Sequence, residues 1–410
     1  MLHRKFLRKA TAKAVLPIPP REAMMVSNGE RLIAMSQVTA SYSVDVHAIR
    51  RHHEQPDTTP FDHRTRAKTM HKAIALTLLS ASLMGISSAN AADKLIVSTW
   101  GGSFRDLIDE AIGQEFTRQT GVEVEYVTGG TIDRLNKAKL AGSAETDITF
   151  TTSHVGWLYA NDGLFEDLDM SKIPNAKNLV HQAKLSPNHI GVWGYVYTIG
   201  YRPDLVPEDI TFDSWEDLWN PELEGTIALP DWDPSHIIAV AAKLEGADAE
   251  HWEAGQDKLK ALIPNIKAFY TNDANSQQLI ATGETPVQLL LSMNAYHMMD
   301  EGVDIELAMP KEGAVLGIDA MGINKGSEHA DLAYQFMNIA LSPDVQAKIA
   351  EINNGSPVVT NATVDPEIAK LPGMLTTAEQ WDATLDTDPK LRAEMTAEWR
   401  KWFSENIMAY

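Results

Sequence analysis

Lys94–Val127 reads KLIVSTWGGSFRDLIDEAIGQEFTRQTGVEVEYV, and two periodicities follow one another within it. Lys94–Trp100 is a short apolar run with β-branched residues, the pattern of a buried strand. Gly101 and Gly102 turn the chain. Ser103 then stands at an N-cap position with Asp106 three residues on, an acidic variant of the capping box. Phe104, Leu107, Ile108, Ala111, Ile112 and Phe116 recur at helical spacing and form one apolar face. Gly121 is placed to end the helix, and Val122–Val127 is the next strand. Strand, helix, strand predicts parallel strands joined by a right-handed crossover.

The same grammar continues downstream. Ile132–Leu140 reads as helix and Asp147–Thr152 as strand. Ser214 and Asp217 carry capping-box spacing at a short helix that Pro221 and Gly225 close. Thr226–Pro230 reads as strand, Pro234–Leu244 as helix, and Pro286–Ser292 and Asp304–Ala308 as strands. His329–Ala350 is helical with an interruption at Ser342-Pro343-Asp344, and Leu391–Ile407 is the last helix. Alternating strands and helices over this length predict an α/β fold of two lobes. There is no internal repeat, low-complexity segment or coiled coil.

Upstream, Met70-His71-Lys72 precedes the uncharged run AIALTLLSASLMGI (Ala73–Ile86), then Ser87-Ser88-Ala89-Asn90-Ala91. A basic n-region, a short h-region and an A-x-A site describe a cleavable signal peptide over 70–91. The run is too short to span a bilayer, which needs about 20 residues. Residues 1–69 are then best explained by a start placed too early, with Met70 the initiator, or else by a disordered basic extension.

Composition agrees with export. The 410 residues are 44% hydrophobic and 22% charged, a globular balance. There is no cysteine, which excludes disulfides, thiolate metal sites, a cysteine nucleophile and a lipid-anchored cysteine. Residues 1–91 hold 13 basic and 6 acidic side chains, whereas the rest holds 22 basic and 50 acidic. So acidic a body is unsuited to nucleic acid and biases a pocket towards cations.

Catalytic motifs are missing. There is no G-x-S-x-G, H-E-x-x-H, Walker loop or G-x-G-x-x-G after a strand. The histidines beyond residue 91 show no metal-ligand spacing and read as surface or satisfied core residues. No metal and no cofactor is expected. Asp231 and Asp233 could do acid–base work as an exported hydrolase or lyase, or could hold a cation.

In open α/β sheets, ligands bind beyond the carboxyl ends of strands. Trp100 falls there, as do Ser153 and His154, Asp231-Trp232-Asp233, and Met293-Asn294. Asp319 lies in the Gly-rich segment Gly317–Gly322, where it binds a ligand or merely closes a turn. Aromatic faces and carboxylates together make a cage for an ammonium group.

From LIVSTWGGSF through EFTRQTGVEVE, DITFTTSHVGWLYANDGLFEDLD, SWEDLWNPELEGTIALPD, MPKEGAVLGIDAMGINKG and LAYQFMNIALSPDVQAKIAE, the chain resembles the periplasmic solute-binding proteins of ABC importers. Within them it resembles the spermidine/putrescine-binding group. The resemblance covers nearly all of 93–405. It implies a type II-like fold of two lobes, each a mostly parallel sheet flanked by helices, joined by a hinge. Lobe 1 would be 93–198 plus 321–358, and lobe 2 would be 199–320 plus 359–410. It implies a monomer that carries an amine to an inner-membrane ABC permease. Trp100 would stack on the ligand, Ser153 would line the site, and Asp231 and Asp319 would pair with amines. Two cage tryptophans of the group would fall at Met293 and Gly317, and a tyrosine at Ser103, so three aromatics are replaced. A diamine or an amino acid such as 4-aminobutyrate would suit fewer rings, with Met293 filling vacated space. Iron is disfavoured because no Tyr-Tyr pair occurs. An organic anion would need arginine at the strand ends, and Arg105 and Arg134 read as solvated helix-face residues.

Protein recovered from the periplasm is expected to begin at Ala92. N-terminal sequencing checks this, and a sequence starting before Met70 would refute the misplaced start.

Overall fold

The computed structural model describes residues 94–142 and 145–409. The expected signal peptide and the segment upstream of it lie outside them.

The opening unit forms as its periodicity requires. Strand β1 (Lys94–Thr99) and strand β2 (Glu123–Thr128) pair in parallel, Lys94 opposite Glu123 through Thr99 opposite Thr128. The helix between them differs in two respects. It is helix α1 (Ser103–Ile108) and helix α2 (Gln114–Thr120) joined by a π-helical turn at Asp109–Gly113. It also starts on Gly102 at φ 63°, with no side-chain cap. Ser103 is therefore an exposed first-turn residue rather than an N-cap, because the left-handed glycine sets the entry angle. Gly121 ends the helix at φ 73°, as expected.

Helix α3 (Thr131–Ala141), strand β3 (Ile148–Thr152) and helix α4 (Ser153–Asn161) follow, with β3 parallel to β1. Strand β4 (His189–Tyr201) is the longest, at 13 residues. Almost all of it is buried on both faces, so no alternation marks it in the sequence. Ser214 and Asp217 form the expected capping box, on a 3-10 turn at Trp215–Trp219. Strand β5 (Ile227–Pro230), helix α5 (Ser235–Leu244), helix α6 (Gln256–Leu262) and strand β6 (Ile266–Tyr270) come next. Helix α7 (Asp273–Ala281), strand β7 (Val287–Leu291), helix α8 (Ser292–Asp300) and the two-residue strand β8 (Glu306–Leu307) lead into strand β9 (Val315–Ile323). Asp319 is therefore mid-strand and does not close a turn. Helices α9 (Ala330–Ala340), α10 (Pro343–Asn353), α11 (Ala378–Asp382) and α12 (Pro389–Asn406) complete the chain.

The sheet order is β2-β1-β3-β9-β4-β7-β5-β6, with β8 on β4. Two parallel groups, β2-β1-β3 and β7-β5-β6, flank the antiparallel pair β9 and β4. Both central strands serve both sides. The carboxyl half of β9 pairs with β3, and the carboxyl half of β4 pairs with β7. Trp193 of β4 stacks on Phe150 of β3 at 6.0 Å between centroids, and Phe336 of α9 meets Phe150 edge-on. Among the described residues, no helix is long and apolar enough to cross a membrane.

Asp147, just before β3, ties three segments together. Its carboxylate accepts from Ile96 N (2.8 Å), Ser327 Oγ (2.7 Å) and His329 Nδ1 (3.2 Å). It is buried. Asp147→Ala would strand these donors, at a cost of about 2–4 kcal/mol. The measurement is the urea midpoint, and an unchanged midpoint would contradict the role.

Candidate functional site

Strand ends and the central pair bring a polar cluster together. Ser153 and His154 open α4 at the end of β3. Asp231, Trp232 and Asp233 link β5 to α5. Met293 and Asn294 open α8 after β7. Asp319 sits opposite Thr152 on β3 and Trp193 on β4.

Asp319 is 4% exposed. It accepts a hydrogen bond from Tyr195 Oη at 3.2 Å, and no ion pair holds it among the described residues. Burial pushes its carboxyl up to about 7, against the Tyr195 bond; the Asp273 charge adds to the rise and Arg134 reduces it. Asp273, at the start of α7, is likewise raised by burial, although Asn294 Nδ2 donates to it at 2.9 Å.

Asp233 has a different environment. Arg392 of α12 donates to it, and Ser235 N donates at 3.0 Å. Burial opposes the Asp233 charge, but the Arg392 guanidinium, with a hydrogen bond from Ser235, holds the carboxyl well below the usual range. Burial lowers His154 to about 3 and His236 to about 4, and the Arg392 charge adds to both shifts. Both imidazoles are thus neutral.

Aromatic rings line the cluster. Tyr197 lies over His236 with centroids 4.2 Å apart, and Trp232 meets Tyr270 at 5.2 Å. Tyr195 stands opposite Gly317 across β4 and β9, and its ring fills the space where a Cβ at 317 would go. The aromatic surface lacking at 317 is therefore supplied by Tyr195 from the next strand. Met293 is a buried core residue.

Trp100 is half-buried, with Nε1 donating to Thr131 Oγ1 at 2.7 Å. The Arg134 guanidinium lies 5.4 Å from its ring centroid. Arg134 is not on a solvated face: it is buried, donating to Phe150 O (2.9 Å), Ser98 Oγ (3.1 Å) and Gly129 O (3.0 Å). Arg105 is partly exposed and pairs with Asp106.

Two candidates stand apart. Ser103 is exposed. Asp231 is half-buried, and Arg400 on α12 is the charged group that acts on it. Asp233, not Asp231, is the β5-end acid that joins the cluster. His189 is a satisfied core histidine, bonded to Ser186 Oγ and Ser153 O.

Sequence reasoning passed over Tyr195, Tyr197, Asp273 and Arg392 and did not single out His236. The alternation Trp193-Gly194-Tyr195-Val196-Tyr197 could have marked a strand face. Nothing local marks Arg392, one cation on a largely polar helix.

Residues 111–376 match the family described as bacterial extracellular solute-binding protein. The spermidine/putrescine-binding periplasmic protein of Escherichia coli is 27% identical over 305 residues, covering 70% of this chain and 85% of its own. The putrescine-binding periplasmic protein PotF of Escherichia coli is 29% identical over 360 residues, covering 79% and 96%. The crystal structure of an ABC transporter from Clostridium perfringens superposes with a TM-score of 0.67 at 29% identity, covering 77% of this chain and 100% of that one.

The raised Asp319 carboxyl makes a prediction about the empty protein. Native Asp319 keeps, up to a pH of about 7, a proton that the unfolded chain releases in the ordinary aspartate range at about 4. Its contribution is thus full below the unfolded value and is lost as pH rises towards 7. Asp319→Asn should exceed wild type in stability by about 2–4 kcal/mol above pH 7, with the gap closing towards pH 4. Urea denaturation across this range measures it, and a pH-independent gap would contradict it.

Proposed function

The chain belongs to the bacterial extracellular solute-binding proteins, and on that premise we propose that it captures a small cationic amine in the periplasm for an inner-membrane ABC permease. The family consists of solute-binding components of ABC transporters, not enzymes. The signal peptide over 70–91 would deliver the chain there, and the mature protein would work as a monomer. The two parallel strand groups would be the cores of two lobes, 93–198 plus 321–358 and 199–320 plus 359–410, with β4 and β9 crossing the hinge. Helix α12 packs against both α4 and α5, so it would span the lobes rather than belong wholly to the second.

One observation carries the amine assignment. Asp319 is a buried carboxyl with no ion-pair partner among the described residues, held between β3 on one side and β4 on the other. Burying a carboxylate is costly unless a counter-charge arrives, and an ammonium group supplies one. The acidic surface would concentrate such cations. Relatives named for spermidine and putrescine binding support the same class. Tyr195 and Tyr197 would flank the alkyl stem, with Trp100, Trp232 and Met293 as further apolar surface and Ser153, Asp233 and Asn294 as polar lining. Asp231 and Ser103 would contribute least.

An ammonium at Asp319 favours the ionised carboxylate, so binding below pH 7 should release protons. Calorimetric titration of putrescine and butylamine in buffers of different ionisation enthalpy measures that release. Asp319→Asn should abolish it and weaken binding by about 2–5 kcal/mol. Thermal stabilisation by a hundredfold ligand excess, about 2.7 kcal/mol, gives an independent readout. Undiminished amine binding by Asp319→Asn would overturn the assignment.

A further inference from the structure

Around Arg392 the unpartnered groups have the opposite character to Asp319. The Arg392 guanidinium is buried, and its Nη2 faces both Asp233 and His236 Nε2, the latter at 3.2 Å. A guanidinium only donates, so His236 Nε2 accepts and its proton lies on Nδ1. That Nδ1–H is buried without a partner, as is Arg392 Nε–H. Ser235 Oγ, next in sequence to His236, is also buried and unpartnered. Three hydrogen-bond donors on α5 and α12 thus lack a well-aligned acceptor; Ser235 and His236 have only Asp233 nearby, and Arg392 already engages its carboxylate. Unpaired buried donors are costly, and a cluster of them marks something missing.

A second ammonium is the wrong occupant. It would accept nothing from these donors and would meet the Arg392 charge. Asp233, the acid that could have attracted it, is already neutralised by Arg392. A chain of contacts joins the two groups: Tyr195 donates to Asp319 at 3.2 Å, its ring lies 6.0 Å from that of Tyr197, Tyr197 lies 4.2 Å from the His236 ring, and His236 meets Arg392 at 3.2 Å, so the carboxyl and the guanidinium border one site.

We propose that the solute is an ω-amino carboxylate, its ammonium at Asp319 and its carboxylate received by Arg392 Nε, His236 Nδ1 and Ser235 Oγ. This rests on the amine assignment above and adds the identity of the solute's other end. Arg392 is then the residue that separates amino acids from diamines. It does so by supplying a donor to one and repelling the other.

The test is calorimetric titration of the full protein with probes of matched length: putrescine, 4-aminobutyrate, butylamine and butyrate, and their homologues one methylene longer. One of the two ω-amino carboxylates should bind about tenfold or more tighter than either diamine and than the alkylamines. Arg392→Gln alone leaves Asp233 unpaired and could fail to fold, so it is joined to Asp233→Asn, which keeps the pair neutral. In that double variant, the ratio of amino-carboxylate to alkylamine affinity should fall by about thirtyfold or more. Tighter binding of a diamine than of either amino carboxylate, or an unchanged ratio in the double variant, would overturn the carboxylate subsite while leaving the amine assignment intact. Binding of butyrate with no binding of any amine would overturn the amine assignment itself.

Discussion

The antiparallel pairing of β4 with β9 is the constraint on which the rest of the molecule depends. Each strand belongs to both sides of the sheet, so one register aligns two groups of parallel strands. That register sets Trp193 opposite Asp319 and Tyr195 opposite Gly317. A slip by one residue would move Asp319 to the other face and separate it from Tyr195. Scaffold and site are therefore the same strands. Glycines make the close packing possible. A Cβ at Gly194 would enter the Trp381 ring, and one at Gly317 would enter the Tyr195 ring.

Burial gives the site its chemistry. Away from water, a charge is either firmly paired or neutralised by its own proton equilibrium. Asp233 takes the first course through Arg392, and Asp319 takes the second. A group left incomplete by its own protein is one that a solute can complete. The surface ion pairs, such as Lys137 with Glu145 and Lys370 with Glu367, lie in solvent and add little to either stability or recognition.

The aromatic wall shows why position and space are different things. The resemblance would place tryptophans at Gly317 and Met293. In three dimensions Tyr195 covers Gly317, and Met293 is taken up by the core at the start of α8. The acid at the end of β5 shifts in a comparable way. Asp231 lies near Arg400, and Asp233, two residues on, joins the cluster. Turning of the chain between β5 and α5 decides this, and spacing alone carries no record of it.

Local rules made much of the fold legible. The β1–α–β2 unit, Gly121 as terminator, the Ser214 capping box and most of the later helices and strands follow from periodicity and end signals. Strand β4 did not, because burial on both faces removes the alternation that reveals a strand. The sequence alone identified an acidic α/β solute-binding protein, set Ser153, Asp233 and Asn294 just beyond strand ends, and singled out Asp319 in a Gly-rich segment. Only the tertiary structure decided which of these meet. It buried Arg134 beneath Trp100, brought Arg392 from the last helix to Asp233, and left Asp319 with no ion-pair partner among the described residues. The reason is physical. Periodicity records which face of an element avoids water, whereas the pairing of buried charges depends on distances between elements far apart in the chain.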